Sequence, residues 1–199
     1  SEQVQRTGDP DAVQREMEAQ VQRALEAGID VTHVDTHMGA IAHVKFAPAY
    51  IQTALQHRLP PFLVRSIDTV MHEMAARNMQ DPDTALIALI TQQLQAFEAQ
   101  GVPVLDAIRQ MPLNQPKDRL QQIQQTLETF PVGITYLIIH PAKDTPELRA
   151  TTADWRGRVA DYEAFTSNAL KDYINDSGIH IIGWRVLRDL MRSEFTGAL

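Results

Sequence analysis

Apolar positions along the chain follow two alternating rhythms, a spacing of three to four residues and short β-branched runs. Asp9-Pro10 has the form of an N-cap with proline in the first turn, and Val13, Met17, Val21, Ala24 and Leu25 then line one helical face up to Gly28. The run Val31-Thr32-His33-Val34-Asp35-Thr36-His37 is short and β-branched, which predicts a strand. The same reading predicts a helix over 47–57, a strand at Phe62-Leu63-Val64-Arg65 and a helix from Asp68 to about Asn78. Asp81-Pro82 opens a helix through Leu86, Leu89, Ile90, Leu94 and Phe97 to a stop at Gly101. A weaker strand is predicted from Val104 to Ile108, and a helix over 116–129. Ile134 to His140 is the clearest strand, apolar almost throughout, as suits a strand buried on both faces. A polar loop from Pro141 to Thr152 leads to a helix over 154–175, a strand from Ile179 to Trp184 and a closing helix over 185–194.

Alternating strands and helices predict an α/β fold, a parallel sheet with helices packed outside, in a single domain over 1–199. Five strands are fewer than a complete (β/α) barrel needs, which takes about 250 residues. The chain also opens on a helix, as though joining a β–α series midway, so one or more N-terminal β–α units are expected to be missing. Composition narrows the class. With 25 acidic and 18 basic residues the net charge is −7, and no run of more than two Lys/Arg occurs, which argues against a nucleic-acid partner. Apolar runs fall far short of the ~20 residues of a membrane helix, so no membrane partner is expected. Cysteine is absent, which excludes a disulfide framework, a zinc–thiolate site and a cysteine nucleophile, and makes a reducing cytoplasm the simpler setting.

The candidate chemistry lies at two strand ends. On a strand, His33, Asp35 and His37 project from one face, gathering two imidazoles and a carboxylate at its C-terminal end, where active sites of β/α folds sit. Imidazole suits zinc and other transition metals, and a neighbouring carboxylate can ligate or orient it. His140-Pro141 closes the apolar strand at the same predicted rim. The competing reading of both is a polar strand end facing solvent.

Thr32-His33-Val34-Asp35-Thr36-His37 resembles the T-H-x-D-S-H signature of the YdjC-like (ChbG/HpnK-type) carbohydrate deacetylases, and Ile139-His140-Pro141 is similar to that family's later H-P motif. Glu16 to Gln20, Gly28, the strand ending in Arg65, and Arg158, Glu163 and Ser167 in an R-x-x-E…S segment fit the same pattern, over about 10 to 190. The resemblance implies a TIM-barrel-like (β/α) fold and a metal-dependent hydrolase, with magnesium or zinc as the ion, that removes acetyl from an N-acetylated sugar. It implies His37 as a metal ligand. The family's other two ligands, an aspartate and a histidine, have no counterpart in the chain. His140 is the expected acid for the leaving amine, Asp35 orients an imidazole, His33 supports the site from behind its ligands or contacts substrate, and Arg65 binds a sugar hydroxyl, orients a carboxylate or is an ordinary strand-end arginine. Met38-Gly39 and Ala142 depart from the family pattern and bear on substrate choice.

Two rival functions remain open: a catalytically inactive binding or assembly domain, and another metal-dependent barrel hydrolase such as a phosphoesterase. With one matched ligand, the isolated chain is expected to bind metal weakly and to show little activity. Exposed strand edges would favour self-association, hence a homo-oligomer. His43, His57, His72 and His180 lack spaced partners and read as surface or packing residues; Met71, Met74 and Met79 read as packing. Trp155 and Trp184 read as packing residues that could also stack on a sugar ring.

Overall fold

The computed structural model describes residues 2–41, 43, 45–65 and 84–195. The predicted helix from Asp68, His72, the three methionines and the Asp81-Pro82 start lie outside the described residues. The chain divides into two units, one assembled from Ser1–Val104 and Ile182–Leu199, the other the continuous stretch Leu105–Ile181.

In the first unit, α1 (Glu2–Thr7) precedes α2 (Pro10–Glu26). Asp9 caps α2 as the sequence predicts, its carboxylate accepting from the backbone N–H groups of Asp11 and Ala12. The face carrying Val21 packs on α3 (Ala47–Gln56), which buries Ala49, Tyr50, Thr53 and Ala54. Helix α4 (Thr84–Ala99) ends before Gly101, which has φ of +87°. A Cβ on Gly101 would come within 2.9 Å of the Glu194 backbone, so glycine is required twice over. Helix α9 (Trp184–Glu194) buries Leu187, Arg188 and Met191.

The second unit holds a β–α–β arrangement. Strand β1 (Ala107–Gln110) pairs in parallel with β2 (Thr135–Ile138), Ala107 opposite Thr135, and α5 (Arg119–Glu128) lies between them in sequence. Its core gathers Met111, Ile123, Leu127, Ala164 and Leu170, with Leu137, Ile139 and Phe165 packed against them. Helices α6 (Pro146–Thr151), α7 (Trp155–Phe165) and α8 (Asn168–Asp176) follow. Gly157 lets α7 approach the turn after β1, since a Cβ there would sit 2.1 Å from the Leu113 carbonyl oxygen.

Several expectations are corrected. The strand over 31–37 reduces to one parallel bridge, Val34 to Pro61, because His37 already begins a 3-10 turn (His37–Gly39). Among the described residues Phe62 to Arg65 forms no ladder; isolated bridge residues stand at Pro61 and Val64. Ile179 to Trp184 is not a strand, and no described strand pairs with it: Ile181 and Ile182 are exposed and Trp184 starts α9. The single helix over 154–175 is two, broken at Thr166 and restarted by Ser167, whose hydroxyl accepts from Leu170 N–H. The loop from Pro141 to Thr152 contains α6, capped by Thr145. Among the described residues no helix is long and apolar enough to cross a membrane.

Candidate functional site

The signature segment occupies an irregular stretch of the first unit, tied down by its neighbours. The buried Tyr50 hydroxyl donates to the Val34 carbonyl at 2.7 Å and accepts from Phe62 N–H at 2.8 Å. One α3 side chain thus pins the two sides of the Val34–Pro61 bridge. Burial pushes the Tyr50 hydroxyl well above its ordinary pKa, so it stays protonated and keeps its donor. Sequence reasoning missed this residue; its only signal was a phenol on a helix face shared with Ala49, Thr53 and Ala54.

His33 is half-buried, with its ring stacked on the indole of Trp184, centroids 4.4 Å apart and planes 4° apart. Its Nδ1 lies 3.0 Å from Thr32 Oγ1. Burial lowers the His33 pKa against the opposing charge of Asp35, which favours the neutral ring. Asp35 is exposed and accepts from Thr36 N–H at 2.6 Å, a local bond that turns the chain before His37. His37 is exposed at the start of the 3-10 turn. These three side chains therefore do not form a metal cage, and no three His, Asp or Glu residues among the described residues are placed to hold an ion. One-face convergence required an extended backbone through His37, which the turn removes. Arg65 meets Glu98 in an exposed two-pronged pair, one bond at 2.9 Å.

His140 lies in the second unit, two residues beyond β2. Its backbone N–H donates to Asp161 Oδ2 at 2.9 Å, and its Nδ1 is buried without a hydrogen-bond partner among the described residues. Asp161, fully buried on α7, also faces Arg119 at 3.1 Å, an ion pair not aligned as a hydrogen bond. Arg119 is buried too, and donates to the Pro112 carbonyl at 2.8 Å and to Gln122 at 3.0 Å. The carboxylate three residues after Arg158 is Asp161, whereas Glu163 is exposed; the R-x-x-E register points to the buried residue. Arg158 itself pairs with Asp154 at 2.8 Å. Trp155 packs under the guanidinium groups of Arg149 and Arg156, at 4.7 and 4.3 Å. An open groove of about 520 Å³ lined by Arg15, Glu18, Gln22, Gln56 and His57 includes none of the predicted site residues.

A family model described as YdjC-like protein matches residues 1–176. A carbohydrate deacetylase of Thermus thermophilus is 28% identical over 179 residues, 90% of this chain and 61% of that protein. Carbohydrate deacetylases of Thermoanaerobacter pseudethanolicus and Brevibacillus brevis are 24% and 22% identical, over 90% and 87% of the chain and 61% and 60% of their own lengths. A crystal structure of a proposed cellobiose-phosphate cleavage protein from Enterococcus faecalis superposes with a TM-score of 0.59 at 18% identity, covering 90% of this chain and 61% of the other. The chain thus spans about three-fifths of the length of the relatives it matches.

Proposed function

The chain belongs to the YdjC-like protein family, and from that premise we propose that it acts as a carbohydrate deacetylase, hydrolysing the acetyl amide of an N-acetylated sugar. The observation that carries the reading is the similarity of nine-tenths of the chain to proteins named carbohydrate deacetylase. It is supported by the signature histidines and His140 within the matched residues. The fold in this reading is barrel-like and (β/α), in keeping with the parallel β1–β2 pair, the parallel Val34–Pro61 bridge and the solved neighbour. The setting is cytoplasmic, in keeping with a chain free of cysteine.

The roles follow from what amide hydrolysis needs. The leaving amine must gain a proton, a task suited to an imidazole that titrates near neutrality. With Nδ1 of His140 sealed, Nε2 is the nitrogen available for that transfer. Asp161 fixes the His140 backbone, and His33 offers its Nε2 edge to a sugar hydroxyl. The described residues do not by themselves fit the divalent metal the family resemblance implies. His37 is the ligand the reading assigns to it.

The test is acetate release from N-acetylated mono- and oligosaccharides by the full-length gene product, with and without His140→Ala. Acetate release lost in the variant is the expected result. Phosphate release from phosphorylated sugars without acetate release would transfer the site to a phosphoesterase. Sugar binding with neither product would make the chain a binding domain. Calorimetric titration of zinc and magnesium into the 199-residue chain is expected to give weak binding. A stoichiometric sub-micromolar site abolished by His37→Ala would refute the view that the ligand set is incomplete.

A further inference from the structure

Helix α9 lies outside the residues matched by the family model, yet its first turn is spent on the signature segment. Arg188, buried to 6% exposure, donates Nη1 to the Val31 carbonyl at 3.1 Å and pairs with Asp30. Arg185 pairs with the same carboxylate at 2.9 Å. Trp184, on the same helical face as Arg188, lays its indole flat on the imidazole of His33. The far side of this arrangement is not empty either, since Phe62 sits tilted against the indole at 6.2 Å.

We propose that Trp184 is a positioning residue for His33, with Arg188 anchoring the helix that carries it, so that α9 sets the geometry of the signature segment for the deacetylation proposed above, on which the catalytic half of this assignment rests. The geometry supports a role more specific than packing. Stacking fixes the plane of the imidazole, and the Thr32 Oγ1 contact at Nδ1 fixes its rotation within that plane. Nε2 is then the nitrogen without a hydrogen bond among the described residues, aimed by two neighbours. The indole also shields one ring face from water, which works towards the neutral imidazole while Asp35 works towards the charged one. The other charged groups on the elements packed there are Asp30, Arg185, Arg188 and Asp189, and they are already engaged with one another. An aromatic ring in van der Waals contact is suited to this task because it restrains orientation without competing for the nitrogen lone pair.

The experiment follows the His33 ring by NMR pH titration in the full 199-residue chain, with His33→Gln for assignment, in the native sequence, Trp184→Phe, Trp184→Leu and Trp184→Ala. In parallel, acetate release is measured on the full-length gene product carrying the same changes. Trp184→Ala is expected to raise the His33 midpoint towards the ordinary ~6.5. It should also lower kcat/KM by about tenfold, the scale of a misplaced contact group. Trp184→Phe, which keeps a stacking face, should restore both, and Trp184→Leu, which keeps apolar bulk alone, should not. An unmoved His33 midpoint in a folded Ala or Leu variant overturns the proposal, as does a Phe variant no better than Leu. Should Trp184→Ala fail to fold, the Phe–Leu comparison decides. Should the native protein release no acetate, the deacetylase reading falls, and the titration still decides whether Trp184 positions His33.

Discussion

Removing Asp161 tests the account of the second unit most severely. In Asp161→Ala the buried Arg119 guanidinium loses its counter-charge, and the His140 N–H loses its acceptor. Breaking a buried pair from one side costs about 3–5 kcal/mol. The Pro112 and Gln122 acceptors that Arg119 keeps pull the value towards the lower end. The unsatisfied His140 amide adds about 1–3 kcal/mol if it stays buried. A loss of about 4 kcal/mol is a large share of the roughly 5–15 kcal/mol a domain has in total. The double variant Arg119→Met/Asp161→Leu removes both charges, and apolar replacement of a buried pair is commonly near neutral. It should therefore be much more stable than the single variant. Urea unfolding, read through Trp155 in a Trp184→Phe background, reports the second unit. A loss below about 1 kcal/mol in Asp161→Ala, or a double variant whose loss is the sum of the single ones, refutes the argument.

Other expectations follow from single contacts. Tyr50→Phe removes the hydroxyl shared by the Phe62 N–H and the Val34 carbonyl, which keep their direct 3.0 Å bond to each other, and a thermal melt should register a loss of about 0.5–1.5 kcal/mol; an unchanged melting temperature would remove the pin. Gly101→Ala forces a side chain into left-handed backbone against Glu194, at a cost of at least about 1–3 kcal/mol by the same measurement, and equal stability would contradict the close approach. Acid should loosen α9 in two stages. The His33 pKa is lowered by burial, so its contribution is complete above about pH 6.5 and declines as pH falls below it. The Asp30 pKa is lowered by hydrogen bonds from Arg188 and then Arg185, so its contribution holds above 3.8 and is lost on further acidification. Trp184 fluorescence in a Trp155→Phe background should change in both windows, and a flat signal from about pH 7 to pH 3 would contradict both assignments.

Helices were legible where a local cap adjoined a long periodic apolar face, whereas the equally local caps Thr145 and Ser167 were passed over. Asp9-Pro10 and Gly28 bracket α2 because one side chain and one backbone freedom settle each end. Strand β2 was legible from its apolar run, although it is half-buried rather than buried on both faces, and β1 was displaced, running through Arg109 to Gln110 instead of ending at Ile108. The segment over 31–37 was not, since a β-branched run says nothing about whether a neighbour supplies a ladder. There the local Asp35–Thr36 bond and the Tyr50 pin decide the backbone instead. Ile179 to Trp184 misled for the same reason: apolar content was present, and pairing was not. Asp161 was in register, three residues after Arg158, and was passed over for Glu163 because the pattern names a glutamate there. Trp184 and His33 are partners across 151 positions, and a contact of that range leaves no periodic mark on either segment.

The first unit is closed by residues from both ends of the chain, whereas the second is one uninterrupted stretch. This orders events on the ribosome. At about 5–20 residues per second, several seconds separate synthesis of the first unit's leading portion from the arrival of α9. Throughout that interval Asp30, the Val31 carbonyl and His33 wait for Arg188, Arg185 and Trp184, while the second unit already has its whole core. Docking α9 on Asp30 joins residues 158 positions apart, a separation that slows the step more than it weakens the product. A nascent chain released before Trp184 would carry the signature segment without its clamp, and that species is the one that folding helpers and proteases would meet.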